Sequence, residues 1–160
     1  CAGSDGNNLK LANEIHQIAS DSSIPTEVID LVACDFPLFT NARNKAGNPS
    51  GLEELITRFE DAKGFIMVAP EYNGSIPPVM TNTLAWLSTK SDDFRALFND
   101  KAVALASHSG GGGAKVMVSM RIQMSHLGCN VVGRELLTGY KKQLNHDSTK
   151  TVLSTLSSMS

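Results

Sequence analysis

Phe65-Ile66-Met67-Val68-Ala69 is a wholly apolar run, and Pro70-Glu71-Tyr72-Asn73-Gly74-Ser75-Ile76-Pro77-Pro78 interrupts it at once. The shortness and unbroken apolar character of the run predict a strand covered on both faces, as the strands of a parallel sheet are. The interruption combines prolines with an Asn-Gly turn signal, so it predicts a stiff, preorganised connection.

Upstream, Leu52, Leu55, Ile56 and Phe59 follow the i, i+3, i+4, i+7 spacing of an amphipathic helix. Ser50 and Glu53 have the spacing of a capping box at its start. Gly64 is expected as its left-handed C-terminal residue. Residues 36–49, with Pro, Asn and Gly, read as a loop long enough to suspect a role in binding. Residues 26–32 follow Pro25 and are rich in β-branched side chains, which predicts a strand. Residues 8–20 predict a helix with Leu11, Ile15 and Ile18 on one face and Asn7 or Asn8 as its cap. Cys1-Ala2-Gly3-Ser4 reads as the tail of a first strand that lacks about five apolar residues. An acylated Cys1 is the less favoured alternative.

Downstream, residues 79–87 read as a helix, 102–106 as a second fully apolar strand, and 107–113 as a glycine-rich loop. Residues 115–127 predict a helix closed by Gly128, with Val116, Met120, Met124 and Leu127 along one side as packing groups. Residues 130–137 predict a strand and 148–157 a final helix. Strand and helix alternate five times, which implies one α/β domain over 1–160 with a parallel sheet between helix layers. Five strands fit the flavodoxin-like three-layer sandwich of order 2-1-3-4-5.

Composition agrees with one globular domain: 160 residues, 41% apolar and 19% charged. A net charge of −2 without a dense run of Lys or Arg disfavours nucleic acid as a partner. No apolar stretch has the length of a membrane span. Cys1, Cys34 and Cys129 are odd in number and widely separated, without a CxxC pair or zinc spacing. They read as reduced thiols of a cytoplasmic protein with no metal site.

In an open α/β sheet a ligand sits beyond the carboxyl ends of the strands. Three segments meet there. Gly3-Ser4-Asp5-Gly6-Asn7-Asn8 leads into a helix, where backbone N–H groups and the helix dipole favour an anion. Ser4, Asn7 and Asn8 add neutral donors, although an ordinary turn with a capped helix would need the same residues. The segment lacks the Lys of a P-loop and the spacing of GxGxxG. Pro70 to Pro78 offers rigid backbone edges and the Tyr72 ring to a flat heterocycle. Ser107-His108-Ser109 with Gly110 to Gly113 permits close backbone approach. His108 could serve as an acid or base; a polar strand-end residue without such a role is preferred. A Ser-His hydrolase is disfavoured because no G-x-S-x-G occurs. Trp86 reads as core or subunit contact.

Pro70-Glu71-Tyr72-Asn73-Gly74-Ser75-Ile76-Pro77, followed by Asn82 and Trp86-Leu87-Ser88, resembles the signature of the NADPH-dependent FMN reductase family. Gly3-Ser4, Asn8 with Leu11-Ala12, and residues 107–113 extend the resemblance over nearly the whole chain. It implies the phosphate of FMN at Ser4, Asn7, Asn8 and the Leu9 backbone. It implies the flavin ring against Pro70, Glu71, Tyr72, Asn73 and Gly74, flanked by Ser107, Ser109, Gly110 and Gly111. It further implies NADPH or NADH as co-substrate, a flavin, quinone or similar small acceptor, no catalytic side chain beyond the flavin, and a homodimer or homotetramer. The first loop is shorter than is usual in that family and carries Asp5, and Pro78 stands where Gly is common. A flavodoxin-like electron carrier and a flavin-free binding module are the alternatives.

Overall fold

The computed structural model describes Cys1 and residues 6–159. The strands expected at 65–69 and 102–106 form β1 (Gly64–Val68) and β2 (Ala102–His108), paired in parallel from Gly64 beside Ala102 to Val68 beside Ala106. The strand expected at 130–137 is two short ones, β3 (Asn130–Val131) and β4 (Leu136–Thr138). Both pair in parallel with β2, β3 beside Ala102 and Val103 and β4 beside Ala106 to His108.

The five-stranded expectation is corrected to four strands among the described residues. Ala2, Gly3 and Ser4, the expected tail of a first strand, lie outside them. Residues 26–32 do not form a strand: the chain carries no regular secondary structure up to Asp30, which is itself extended, and then turns into α2 (Leu31–Cys34). The Asp30 carboxylate accepts the Val32 amide and so starts a helical turn where β-branched composition predicted extension. A ladder also needs a neighbour, and Cys1 is what pairs with this segment: its amine donates to the Ile29 carbonyl and its carbonyl accepts from the Leu31 amide.

The helices are α1 (Asn7–Asp21), α3 (Asn41–Ala46) inside the expected loop, α4 (Leu52–Asp61), α5 (Pro78–Leu87), α6 (Ala114–His126) and α7 (His146–Met159). The expected capping box does not form. Gly51, at φ +81°, precedes α4, and Glu53 instead accepts from the Asn48 side chain. Gly64 does not end α4 but opens β1. A Cβ there would stand 2.7 Å from the Ala102 carbonyl oxygen, so close strand approach explains this glycine. Gly128, at φ +90°, closes α6 as expected.

Alternation along β2 separates two cores. Val103 and Leu105 join Phe59, Met80, Trp86 and the α6 methionines Met117, Met120 and Met124 on one face. Ala102, Ala104 and Ala106 face Leu11, Ile15, Val152 and Leu153 of α1 and α7 on the other. Trp86 is core, and its indole N–H donates to the Pro37 carbonyl at 2.7 Å. Both helix layers thus clamp one strand whose C-terminal end, His108, points to the candidate site.

Candidate functional site

The Pro70 loop is a tight hairpin. Asn73 and Gly74 take φ of +50° and +74°, and Tyr72 and Ser75 exchange two backbone hydrogen bonds, 3.1 and 2.9 Å. Paired left-handed residues make the turn that Asn-Gly favours. Pro70 and Pro77 are buried at its base, while Tyr72 and Asn73 are exposed.

Two long-range contacts bring the three expected segments together. The Glu71 carboxylate accepts from the Lys115 and Val116 amides at 3.2 and 3.4 Å. It therefore caps the N-terminus of α6, whose own leading residue, Gly113, supplies no side-chain cap. This contact joins the Pro70 loop to the glycine-rich loop. The Asn8 side chain, fully buried, donates to the His108 carbonyl at 3.0 Å and accepts the His108 amide at 2.8 Å. It joins the start of α1 to the end of β2. Asn7 and Leu9, partly exposed, flank it, and Ser4 lies outside the described residues. The α1 N-terminus has no side-chain cap and no acidic residue in its first turn, so among the described residues its positive end is left to meet an anion.

The glycine-rich loop leaves room. A Cβ at Gly112 would touch nothing within 4 Å, and one at Gly111 would just reach Glu71. Gly112 and Gly113 have positive φ, which binds the loop to glycine at these positions. Ser109 is half-buried and Gly110 and Gly111 are exposed. Ser107 is fully buried, yet among the described residues its hydroxyl has no hydrogen-bond partner, and neither has the buried His108 Nε2. Orphaned polar atoms are costly, and this pair lies at the carboxyl end of the central strand. His108 Nδ1 is 3.1 Å from the Thr138 hydroxyl.

Tyr140 was not expected from the sequence. It is 84% exposed, stands edge-on to the His108 ring with centroids 5.7 Å apart, and its ring would lie 3.0 Å from a Cβ at Gly110. Gly139 and Lys142 close the turn that presents it. An exposed aromatic after a glycine has no periodic signal; only its place after β4 reveals it. Tyr72 and Tyr140 therefore border a shallow rim of glycines, buried hydroxyl and backbone amides. The Lys115 ammonium lies beside Gly74, the other donors are neutral and the aromatic rings are accessible, which suits a flat heterocycle with an anionic tail. Among the described residues no group of three or more His, Cys, Asp or Glu is placed to hold a metal ion. No helix among them is long and apolar enough to cross a membrane.

The model of the NADPH-dependent FMN reductase family matches residues 2–143. A probable NADPH:quinone oxidoreductase 2 from Oryza sativa is 36% identical over 116 residues, 71% of this chain and 53% of that protein. The quinone reductase of Escherichia coli K12 is 31% identical over 108 residues, 66% of this chain and 56% of that protein. The chain thus matches little more than half the length of these two relatives. Among solved structures, the flavoenzyme NAD(P)H:(acceptor) oxidoreductase FerB from Paracoccus denitrificans superposes with a TM-score of 0.74 at 19% identity, covering 99% of this chain and 90% of that one. A flavodoxin from the domain Archaea superposes with a TM-score of 0.68 at 12% identity, covering 98% of this chain and 93% of that one, and the fold is accordingly flavodoxin-like.

Proposed function

The chain belongs to the NADPH-dependent FMN reductase family, and from that premise we propose that it is an FMN-dependent NAD(P)H oxidoreductase with a quinone, flavin or similar small acceptor. One observation carries the reading. Asn8–His108 and Glu71–Lys115/Val116 draw three distant segments into one preorganised rim around the unpartnered Ser107 hydroxyl.

Ser4, Asn7, Asn8 and the Leu9 amide would hold the phosphate at the start of α1. For Asn8 the side chain already serves the His108 backbone, so its share is to fix the loop and offer its own main-chain N–H. Pro70, Glu71, Tyr72, Asn73 and Gly74 would border the ring on one side, with Ser107, Ser109, Gly110 and Gly111 on the other. Bound FMN would supply the electron relay between nicotinamide and acceptor. The protein would orient that relay: the Asn73-Gly74 turn is closed by the two Tyr72–Ser75 backbone bonds, and the glycine loop admits close contact. Main-chain N–H groups near Asn73 would favour negative charge arising at the ring edge, whereas the Ser109 N–H is already donated to the Thr138 carbonyl at 3.2 Å. The exposure of Tyr72 and Tyr140 leaves the rim open, so the two substrates take turns on one face.

Val118 and Ile122, one helical turn apart on α6, are 60% and 66% exposed, which supports a homodimer through that helix. The free state of Cys1, Cys34 and Cys129 suits a reducing compartment such as the cytoplasm.

The test is to titrate purified protein with FMN and then add NADPH or NADH without oxygen. Flavin binding followed by bleaching, and recolouring on addition of a quinone, is the expected result. Protein that binds no FMN overturns the reading. Binding without bleaching by either nicotinamide turns it towards an electron carrier.

A further inference from the structure

The chain carries a net charge of −2, but its rim is not acidic. The described rim segments, residues 70–78, 107–116 and 139–142, contain Lys115, Lys141 and Lys142 against one carboxylate, Glu71. That carboxylate accepts from the Lys115 and Val116 amides at the start of α6, so its charge is met by backbone donors. The three lysines are exposed, and among the described residues none of their ammonium groups has a carboxylate within ion-pairing distance.

A series of close contacts sets these lysines on two sides of the glycine-rich loop. On one side the Lys115 stem lies against the Asn73-Gly74 turn: a Cβ at Gly74 would stand 3.3 Å from Lys115 Cδ and 4.0 Å from its Nζ. A Cβ at Gly111 would stand 4.0 Å from the Glu71 carboxylate, which ties this turn to α6. On the other side Gly139 and Lys142 exchange backbone bonds of 2.9 and 3.0 Å, leaving Tyr140 and Lys141 at the tip of a two-residue turn. That turn leans on the loop: a Cβ at Gly139 would stand 3.0 Å from the Ser109 carbonyl oxygen, and one at Gly110 3.0 Å from the Tyr140 ring. Each side thus offers an accessible ring and a cation without a counter-ion, Tyr72 and Lys115 at the hairpin and Tyr140 with Lys141 and Lys142 at the turn. The rings suit a flat molecule, and the cations suit one that carries negative charge.

We propose that Lys115, Lys141 and Lys142 select the electron acceptor by charge, favouring a flat aromatic molecule with an anionic substituent, a sulfonate or carboxylate, over its neutral counterpart. This selectivity rests on the flavin reading of the rim and adds no chemical step to it. In water an ammonium about 7 Å from a monoanion favours its binding roughly twofold at low ionic strength. Three together favour it roughly five- to tenfold, and salt removes most of the gain. NADPH and NADH are anions as well, so the acceptor must be measured in their absence.

Two measurements on FMN-loaded protein do this, each at ionic strengths of about 20 mM and about 500 mM, where the Debye length is about 20 Å and about 4 Å. Equilibrium dialysis gives the affinity of the oxidised protein for naphthalenesulfonate and for neutral naphthalenemethanol, neither of which it can reduce. Stopped flow follows reoxidation of photoreduced flavin by naphthoquinone sulfonate and by naphthoquinone, without nicotinamide or oxygen. The sulfonate-to-neutral ratio is compared between unsubstituted protein and Lys115→Gln/Lys141→Gln/Lys142→Gln, so the unequal potentials of the two quinones cancel. The substitutions should lower the ratio roughly five- to tenfold at low salt and less than about twofold at high salt, in both measurements. Arginine at the three positions should keep the ratio, and Lys63→Gln, at the amino end of β1, should not move it. If the triple variant does not fold, Lys141→Gln/Lys142→Gln decides, with a fall of roughly three- to fivefold. A ratio unmoved in either measurement overturns the proposal, and so does a Lys63→Gln effect as large as that of Lys115→Gln, which would reflect net charge alone. Protein that takes up no FMN, or reduced flavin that neutral naphthoquinone does not reoxidise, defeats the flavin reading itself and this selectivity with it.

Discussion

Asn8 and His108, a hundred residues apart, are joined by a two-way pair in which the Asn8 amide takes the place of a strand. It donates to the His108 carbonyl at 3.0 Å and accepts the His108 amide at 2.8 Å. Asn8 is fully buried, so no water replaces it. The pair ends β2 and simultaneously sets where the first turn of α1 stands. A residue that the sequence offers as a phosphate donor therefore holds the loop in place through its side chain.

Asn8→Ala leaves both His108 backbone groups unpaired in the interior. The expected loss is about 2–3 kcal/mol of folding stability, from two hydrogen bonds and the desolvation of the groups left behind. Urea denaturation of flavin-free protein measures it. A loss below about 1 kcal/mol would mean that the site relaxes or hydrates.

Ser107 should behave in the opposite way. Its hydroxyl is buried and has no partner among the described residues, so Ser107→Ala is expected to leave stability unchanged or raise it by up to about 1 kcal/mol. If FMN supplies the missing partner, the same change weakens FMN binding by roughly five- to tenfold, the worth of one hydrogen bond of about 1 kcal/mol. Flavin fluorescence titration beside denaturation reads both signs. Unchanged affinity would remove Ser107 from the flavin contacts.

Glu71 links loop position to helix capping. Glu71→Ala uncaps α6 and frees the Pro70 loop from the glycine loop, because the carboxylate bonds to the Lys115 and Val116 amides are its tie. The expected stability loss is about 1 kcal/mol. FMN affinity should fall as well, since a looser rim must be ordered on binding. Glu71→Gln keeps an acceptor and should recover part of both. A Gln variant no better than Ala would show that the charge, rather than the tie, matters.

The sequence made some of this legible and not the rest, for physical reasons. Phe65 to Val68 and Ala102 to Ala106 are recognisable because a doubly buried strand must be apolar throughout. Asn73-Gly74 is recognisable because both residues tolerate positive φ, and both adopt it. Gly64 misled because a glycine can serve left-handed backbone or close approach alike, and here the Ala102 carbonyl decides. Residues 26–32 misled because β-branched composition favours extension without supplying a neighbour, and Asp30 then caps a helical turn. The Glu71–Lys115 and Asn8–His108 contacts span 44 and 100 residues, so no local pattern announces them. Tyr140 stands in a short turn whose importance comes from β4 beside β2.

Cys1 gives the chain that begins with it a pH dependence of calculable sign. Burial lowers its amine from 8.0 to about 6 in the folded state, with Asp30 and Cys34 opposing the shift. Between pH 6 and 8 the unfolded chain holds a proton that the folded chain does not, so stability rises with pH across that window. The cost of the buried charge is fully present below pH 6 and gone above pH 8. Two pH units correspond to roughly 2–3 kcal/mol. Acetylating the amine removes the titration and keeps an N–H for the Ile29 carbonyl. Urea denaturation between pH 5.5 and 8.5 should then show a slope for the free amine that the acetylated protein lacks, while groups common to both cancel in the comparison. Identical slopes would place the amine in water rather than buried against the Ile29 carbonyl.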